Sequence, residues 1–319
     1  MLLVSALLSI VAPGCRSKAE EAREQTTQGQ DKSAQGRYVL AIVAFDKAIA
    51  LDRGSALAWS GKGEALGKIG RYTEAIACLD KAAGLDPQNA ITFYNKGVAQ
   101  AGLGRHEDAL AAFDRAIWLN PEYRWAYFNK AGILKKLGRY AEAVRCLDRA
   151  IELDPKFVQA YTSRGQSLTA LGEYEEAIKS YDQALELAPK EVTAYYNKGY
   201  NQIALKKYDE AIKTFERALE VDGKNRPVRA DMALALIKRN RGGDSKRARE
   251  ILAELIKEDD KNEAVYALFP HKEKKAEMLA IVKERVIKTP ALKKEYKNDL
   301  EFEQYRHDRD FIAVLGDKP

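Results

Sequence analysis

The sequence is poor in the residues from which most covalent and metal sites are built. It has three cysteines, Cys15, Cys78 and Cys146, in 319 residues, which excludes a disulfide-dense fold. Its three histidines, His106, His271 and His307, are scattered, and no His–Glu spacing suited to zinc occurs. No G-x-S-x-G elbow is present, and no histidine is placed to serve a serine or cysteine nucleophile. The stretch "GKGEALGK" at 61–68 fails as a phosphate loop, because Lys62 stands where a glycine is needed and Ile69 where Ser or Thr would hold magnesium. Net charge is only +6 over the whole length, too dilute for a chain built around nucleic acid. No apolar run reaches the ~20 residues of a membrane-spanning helix. These absences leave no catalytic residue, metal site or cofactor to assign, and the chain is not expected to be an enzyme.

What is present is repetition. "YNKG" stands at Tyr94–Gly97 and again at Tyr196–Gly199, with the near-copy "FNKA" at Phe128–Ala131. Phe128 follows Tyr94 by 34 residues, and Tyr196 follows Phe128 by twice 34. Gly36, Gly70, Gly104, Gly138 and Gly172 keep the same step, as do the alanine series from Ala41 to Ala211 and from Ala48 to Ala218. A fixed period of this length is a solenoid signature. The frames are 22–55, 56–89, 90–123, 124–157, 158–191 and 192–225, with no insertion or deletion between Ala22 and Glu220. Each reads as two helices. In 158–191 the stretch "VQAYTSRGQSLTAL" is broken at Gly172–Glu173, and "YEEAIKSYDQALEL" is apolar at helical spacing until Pro189 ends it.

At these residues the chain resembles the tetratricopeptide repeat family, whose pattern runs aromatic, Leu, Gly, Tyr, Ala, Phe, Ala, Pro across a helix–turn–helix. The unit 56–89 matches with Trp59, Gly63, Gly70, Tyr72, Ala75, Ala82 and Pro87, and has Leu79 where Phe is usual. The resemblance implies an all-α, right-handed α-solenoid of stacked units closed by a C-terminal helical cap. One unit cannot bury its apolar stripe alone, and stacked neighbours bury it together. Gly63, Gly97, Gly165 and Gly199 are expected where the first helix approaches the second. Residues 16–21 read as a linker, 22–225 as six contiguous units, 226–262 as a degenerate seventh and 263–319 as the cap. The first helix of 22–55, "AREQTTQGQDKSAQ", is almost wholly polar and reads as a solvated cap or a frayed end. In the seventh unit, three extra residues in the "RGGDS" turn move Ala248 three places from its expected position.

The N-terminal segment, residues 1–15, carries a different signal. "MLLVSALLSIVAPGC" has an apolar run from Leu2 to Ala12 of signal-peptide length, followed by small residues and Cys15. This is similar to a prokaryotic lipoprotein signal, which implies lipidation of Cys15 and a membrane-anchored chain in the cell envelope. Pro13 and Ala12 depart from the usual box, and no Lys or Arg precedes the run. An ordinary secretory signal, an uncleaved anchor and a cytoplasmic location stay open as alternatives. Cys78 and Cys146 share a register two units apart, beyond reach of a disulfide.

In the family the first helices line the binding groove, which directs attention to Tyr94, Asn95, Trp125, Phe128, Asn129, Lys136, Tyr196 and Asn197. Asn95, Asn129 and Asn197 form an incomplete ladder interrupted by Gly61 and Ser163. An amide can donate and accept, so such a ladder can grip a peptide backbone. The competing reading is that Tyr-Asn is the habitual filling of these positions. Lys62, Lys96, Lys130, Arg164 and Lys198 repeat where the family usually has Leu, either as snorkelling stems or as a cationic stripe for an acidic partner. The resemblance implies a non-enzymatic scaffold for a protein or peptide partner; an intracellular adaptor and an accessory subunit of an enzyme complex are the alternatives. The oligomeric state is left open.

Overall fold

The structure, a computed structural model, describes residues 17–258. The segment 1–15 with Cys15, and the expected cap 263–319, lie outside the described residues. Among those described, first helices alternate with second helices and no strand occurs. The first helices are α1 (Lys18–Ala34), α3 (Ala56–Lys68), α5 (Ala90–Gly102), α7 (Arg124–Lys136), α9 (Val158–Leu171), α11 (Val192–Ala204) and α13 (Arg226–Arg239). The second helices are α2 (Tyr38–Leu51), α4 (Tyr72–Leu85), α6 (His106–Leu119), α8 (Tyr140–Leu153), α10 (Tyr174–Leu187), α12 (Tyr208–Val221) and α14 (Asp244–Glu258). This is the all-α solenoid of helix pairs that the 34-residue period implies. The chain divides after Glu173 into two compact units, the first carrying α1–α9 and the second α10–α14.

Helix boundaries follow from local chemistry. Second helices end one residue before Asp52, Asp86, Asn120, Asp154 and Asp222, which take extended backbone at the C-cap. Three of the five precede proline, which disfavours helical backbone in the residue before it. The side chain of each accepts a hydrogen bond from the backbone N–H two residues on, so the turn forms even at Asp52 and Asp222, where no proline follows. Ser55, Asn89 and Asn225 then cap α3, α5 and α13. Within each repeat, Gly36, Gly70, Gly104, Gly138 and Gly172 turn the chain in left-handed backbone. At the next step of that register Lys206 adopts the same geometry, with φ 59°, without glycine's freedom.

The core is as periodic as the sequence. Ala41, Ala75, Ala109, Ala143, Ala177 and Ala211 are all 0% exposed, as are Ala48, Ala82, Ala116, Ala150, Ala184 and Ala218. A third register of large side chains, Phe45, Leu79, Phe113, Leu147, Tyr181 and Phe215, is also fully buried. The expectation for the helix crossings needs a correction in kind. At Gly97 and Gly199 an added Cβ would stand 2.7 and 2.4 Å from the rings of Phe113 and Phe215. At Gly63 it would meet the Leu79 side chain at 2.6 Å. These glycines make room chiefly for the large side chain of the second helix, rather than for its backbone. Gly165 is buried on α9.

Two boundary expectations are refined. The helix α1 begins at Lys18, inside the segment read as a linker, and Ser17 opens it with a reciprocal capping box to Glu20. Although polar, α1 lays Ala22, Thr26 and Gly29 against the structure, small residues at helical spacing that permit close approach. It is therefore an ordered first helix and not a frayed end. In the seventh repeat the three-residue insertion is absorbed at the turn, with Asn240 and Gly243 in left-handed backbone. Ala248 stays fully buried with Leu252 and Leu255. The turn is pinned by Arg239, whose guanidinium donates to both carboxylate oxygens of buried Asp244 at 2.8 and 2.6 Å, and to Asp209 at 2.9 Å. Those hydrogen bonds hold the Asp244 carboxyl below the usual carboxylate range.

Candidate functional site

Consecutive first helices within each unit touch, α1 with α3, α3 with α5, α5 with α7 and α7 with α9 in the first, and α11 with α13 in the second. A register on these helices is thus a physical row. Several of these rows are buried, but the second residue of the frame is not. Leu57, Ile91 and Trp125, spaced by 34, are 51%, 55% and 39% exposed. Large apolar side chains left partly in water at one register of three neighbouring helices make an exposed stripe, in which Trp125 also packs on Phe157. The row ends at Gln159 in the first unit, and Thr193 holds the same register in the second. Trp125 was reachable from the sequence; Leu57 and Ile91 were missed, although their step of 34 from Trp125 carried the signal.

Beside Leu57 and Ile91 lies a cavity of about 440 Å³. Phe45, Ser60 and Gly61 line it, with Gln30 and Ser33 from α1 and Glu64 and Lys68 from α3. Gly61 is required there: a Cβ would stand 2.4 Å from Cζ of the Phe45 ring. The asparagine row is interrupted where the Phe45 ring packs against Gly61.

The asparagine row itself does something the sequence did not reveal. Asn129 Nδ2 donates to Tyr94 Oη at 2.8 Å, joining α7 to α5. Burial raises the Tyr94 phenol, and this bond opposes the rise. In the second unit, Tyr196 faces the carboxylate of Asp231 on α13, which holds the register of Asn129 three steps on. Burial and that carboxylate push the Tyr196 phenol up to about 12, while burial also raises Asp231. The Nδ2 of Asn95 is buried without a hydrogen-bond partner. Asn197 is half-buried on α11.

The aromatic residues are similarly divided between fold and surface. Tyr94 leans on Tyr123, ring centroids 4.9 Å apart, and on Phe113 at 6.0 Å. Phe128 packs on buried Phe157 at 4.9 Å, and Trp125 meets Phe157 edge-on at 4.7 Å. Phe128 and Tyr94 are therefore half-buried supports, whereas Trp125 presents an exposed edge. Lys136 is exposed at the end of α7. Its neighbour Lys135, not singled out in the sequence, donates to Gln166 Oε1 at 2.6 Å, and burial lowers its ammonium pKa.

The cationic row is an internal ion-pair ladder. Lys62 meets Asp46 at 2.6 Å, Lys96 meets Asp80 at 2.6 Å, Arg164 meets Asp148 at 2.6 Å and Lys198 meets Asp182 at 2.5 Å. Lys130 pairs with Asp114 in the same way. Each cation lies on a first helix and its carboxylate on the second helix sixteen residues earlier, so the row ties each repeat to the next. A stripe awaiting an acidic partner would not be neutralised in this manner. Cys78 and Cys146 are free thiols raised by burial. Among the described residues no group of His, Cys, Asp and Glu could hold a metal ion, and no helix is long and apolar enough to cross a membrane.

Periodic helix pairs, an exposed row on the first helices and an internally paired charge ladder define an α-helical repeat protein. Tetratricopeptide repeat profiles match residues 26–90, 61–124, 94–143 and 128–192, and a second set matches 168–224 and 202–269. The chain belongs to the tetratricopeptide repeat family. No curated protein matches it. Among solved structures it is similar to PilF of Pseudomonas aeruginosa, at 18% identity over 68% of this chain and 99% of that one, with a TM-score of 0.59. It is similar to YrrB, described as a TPR protein with an unusual peptide-binding site, at 24% identity over 58% of this chain and 95% of that one, TM-score 0.53. MamA matches at 29% identity over 54% of this chain and 93% of that one, TM-score 0.48. The likeness to PilF and YrrB is one of fold.

Proposed function

We propose that the chain is a non-enzymatic protein-interaction scaffold that holds an extended segment of a partner protein along its first helices. The observation that carries this reading is the exposed row Leu57, Ile91 and Trp125 beside the 440 Å³ cavity. An apolar row that stays exposed favours a partner's side chains, and the half-buried polar groups beside it fix their direction. Membership of a family that includes YrrB, with its peptide-binding site, supports the same reading. Asn129 and Trp125 remain in the proposed surface, Asn129 with one amide hydrogen engaged by Tyr94.

The test begins with capture of partners by the full chain and identification by mass spectrometry. Ile91→Asp with Trp125→Ala is expected to weaken the captured complex at least tenfold, since buried aromatic and aliphatic anchors carry ~2 kcal/mol or more. Ile91→Asp alone should leave the thermal midpoint unchanged, because Ile91 faces water, whereas Trp125→Ala also loses the contact with Phe157 and should lower it modestly. Unchanged affinity would move the binding surface elsewhere.

The same reading places the scaffold outside the cytoplasmic membrane, tethered through Cys15. The support is the short apolar run Leu2–Ala12 followed by small residues and the cysteine. Cys15→Ala should abolish metabolic labelling by a fatty acid and release the chain from membranes; a mutant that matures and fractionates like wild type would sink the tether.

A further inference from the structure

The second helices repeat a surface as well as a core, and the first of them departs from it. Their third residue is acidic in five successive repeats, Glu74, Asp108, Glu142, Glu176 and Glu210, where an anion balances the partial positive charge of a helix N-terminus. In α2 that residue is Leu40, and its first turn holds no acid. One turn on, Val43 stands where later repeats hold Ala77, Ala111, Arg145, Lys179 and Lys213. Val39, Leu40 and Val43 are 65%, 42% and 49% exposed and share one face of α2 with Lys47 by helical spacing. The large side chains of α2 that the fold does use, Ile42, Phe45 and Ile49, lie on its buried side.

The change at Leu40 alters charge as well as polarity. In α4 and α8 the acid neutralises the arginine that precedes the helix. Arg71 donates to both carboxylate oxygens of Glu74 at 2.7 and 2.6 Å, and Arg139 to both of Glu142 at 2.6 and 2.7 Å. Arg37 holds the same register with no acid three residues on. Among the described residues neither Arg37 nor Lys47 makes an ion pair, while Asp46, the single acid of α2, is engaged by Lys62 at 2.6 Å. The face is therefore apolar with two uncompensated cations at its margins.

That combination matches an anionic lipid surface, where apolar side chains enter at the level of the headgroups and cations meet phosphates. A second copy of the chain fits less well, because a twofold contact would set these cations against their equivalents. Position agrees with lipid. The chain before α1 ends at residue 16, α1 is about 25 Å long, and α2 packs back along it. A chain held at Cys15 keeps this face within about one helix length of the bilayer, which makes even a weak contact effective.

We propose that the exposed face of α2 rests on an anionic lipid surface, with Val39, Leu40 and Val43 among the headgroups and Arg37 and Lys47 against their phosphates. The inference concerns a different surface from the row on the first helices and does not require Cys15 to be lipidated.

The test uses the full-length Cys15→Ala chain, which cannot be lipidated there, and vesicles of phosphatidylcholine with and without phosphatidylglycerol. Leu40→Glu restores the residue type of the other repeats and a partner for Arg37, so the fold is kept; it should lower binding to the anionic vesicles at least tenfold. Arg37→Gln with Lys47→Gln should weaken that binding about tenfold and leave binding to phosphatidylcholine alone unchanged. Residues 1–15 are identical in all these chains, so the differences report on α2. With leucine and valine methyls labelled and a paramagnetic headgroup in the vesicles, the signals of Val39, Leu40 and Val43 should broaden while exposed Leu57 keeps its line width. Variants that bind like the parent chain, or equal broadening at Leu57, overturn the proposal. Self-association that Leu40→Glu abolishes in place of vesicle binding also overturns it, and assigns the face to a second copy. If fatty-acid labelling shows no lipid on Cys15 while Leu40→Glu still costs vesicle binding, the tether falls and this face stands; the converse result removes the face and leaves the tether.

Discussion

At the register of Ala41 and at that of Leu57 the chain advances by the same 34 residues, with opposite outcomes. The first row is alanine at every step from Ala41 to Ala211 and is fully buried throughout. The second reads Leu57, Ile91, Trp125, Gln159 and Thr193, large and apolar for three steps and then polar. A buried row must satisfy a helix on each side, so its volume is fixed by packing that repeats. An exposed row satisfies only what arrives from outside, so it is free to change. The place where an exposed row of a periodic chain stops being periodic is therefore the place to look for its particular ligand.

The comparison breaks most severely if a face residue proves as costly to change as a core one. Gly97→Leu drives a side chain into the Phe113 ring, which an added Cβ alone would approach to 2.7 Å. Overpacking of this kind is expected to destabilise by ~1–3 kcal/mol, read as a lower urea midpoint. Ile91→Asp, six residues earlier on the same helix, should change stability by no more than ~0.5 kcal/mol. Comparable losses from the two would show that Ile91 belongs to the packing.

The registers that made the fold legible are those in which one residue type does one job. Alanine at 41–211 and glycine at 36–172 could be read as helix contacts and turns without coordinates, because the constraint lies within one position. The site was legible only in part. Trp125 stood out by its chemistry, while Leu57 and Ile91 were ordinary residues whose meaning lay in sharing its register. The Asn129–Tyr94 bond joins residues 35 apart, one position off the period, so no single column of the repeat displays it. The ion pairs join a lysine column to an aspartate column sixteen residues behind, and the lysines alone looked like a free stripe.

A subtler contrast separates the two tyrosine pairs. Tyr94 accepts from an amide, whereas Tyr196 faces a carboxylate, and burial together with that charge pushes it up to about 12. A folded-state pKa above the unfolded value of ~10 means that this contribution to stability is fully present below about pH 10 and is lost as pH rises through about 12. Asp231→Asn removes the facing charge, so the Tyr196 phenol should move down toward the ordinary ~10. Urea midpoints followed through the alkaline range should then fall less steeply than in wild type. An identical pH slope would mean that burial alone sets the Tyr196 value.

The smallest expected effect lies where a constant row is interrupted once. Gly36, Gly70, Gly104, Gly138 and Gly172 hold left-handed backbone at the turn between paired helices, and Lys206 holds it without a glycine. A Cβ in that region crowds the following carbonyl by roughly 1–2 kcal/mol, while glycine would lose more chain entropy on folding, by roughly 0.5–1 kcal/mol. The difference favours Lys206→Gly by about 0.5–1 kcal/mol, a rise of a few degrees or less in the thermal midpoint. Lys206→Ala keeps the Cβ and should leave the midpoint nearly unchanged, which separates backbone strain from any role of the ammonium group. If Lys206→Gly lowers the midpoint instead, the lysine side chain contributes more than its backbone costs, and the row is broken there for a reason other than tolerance.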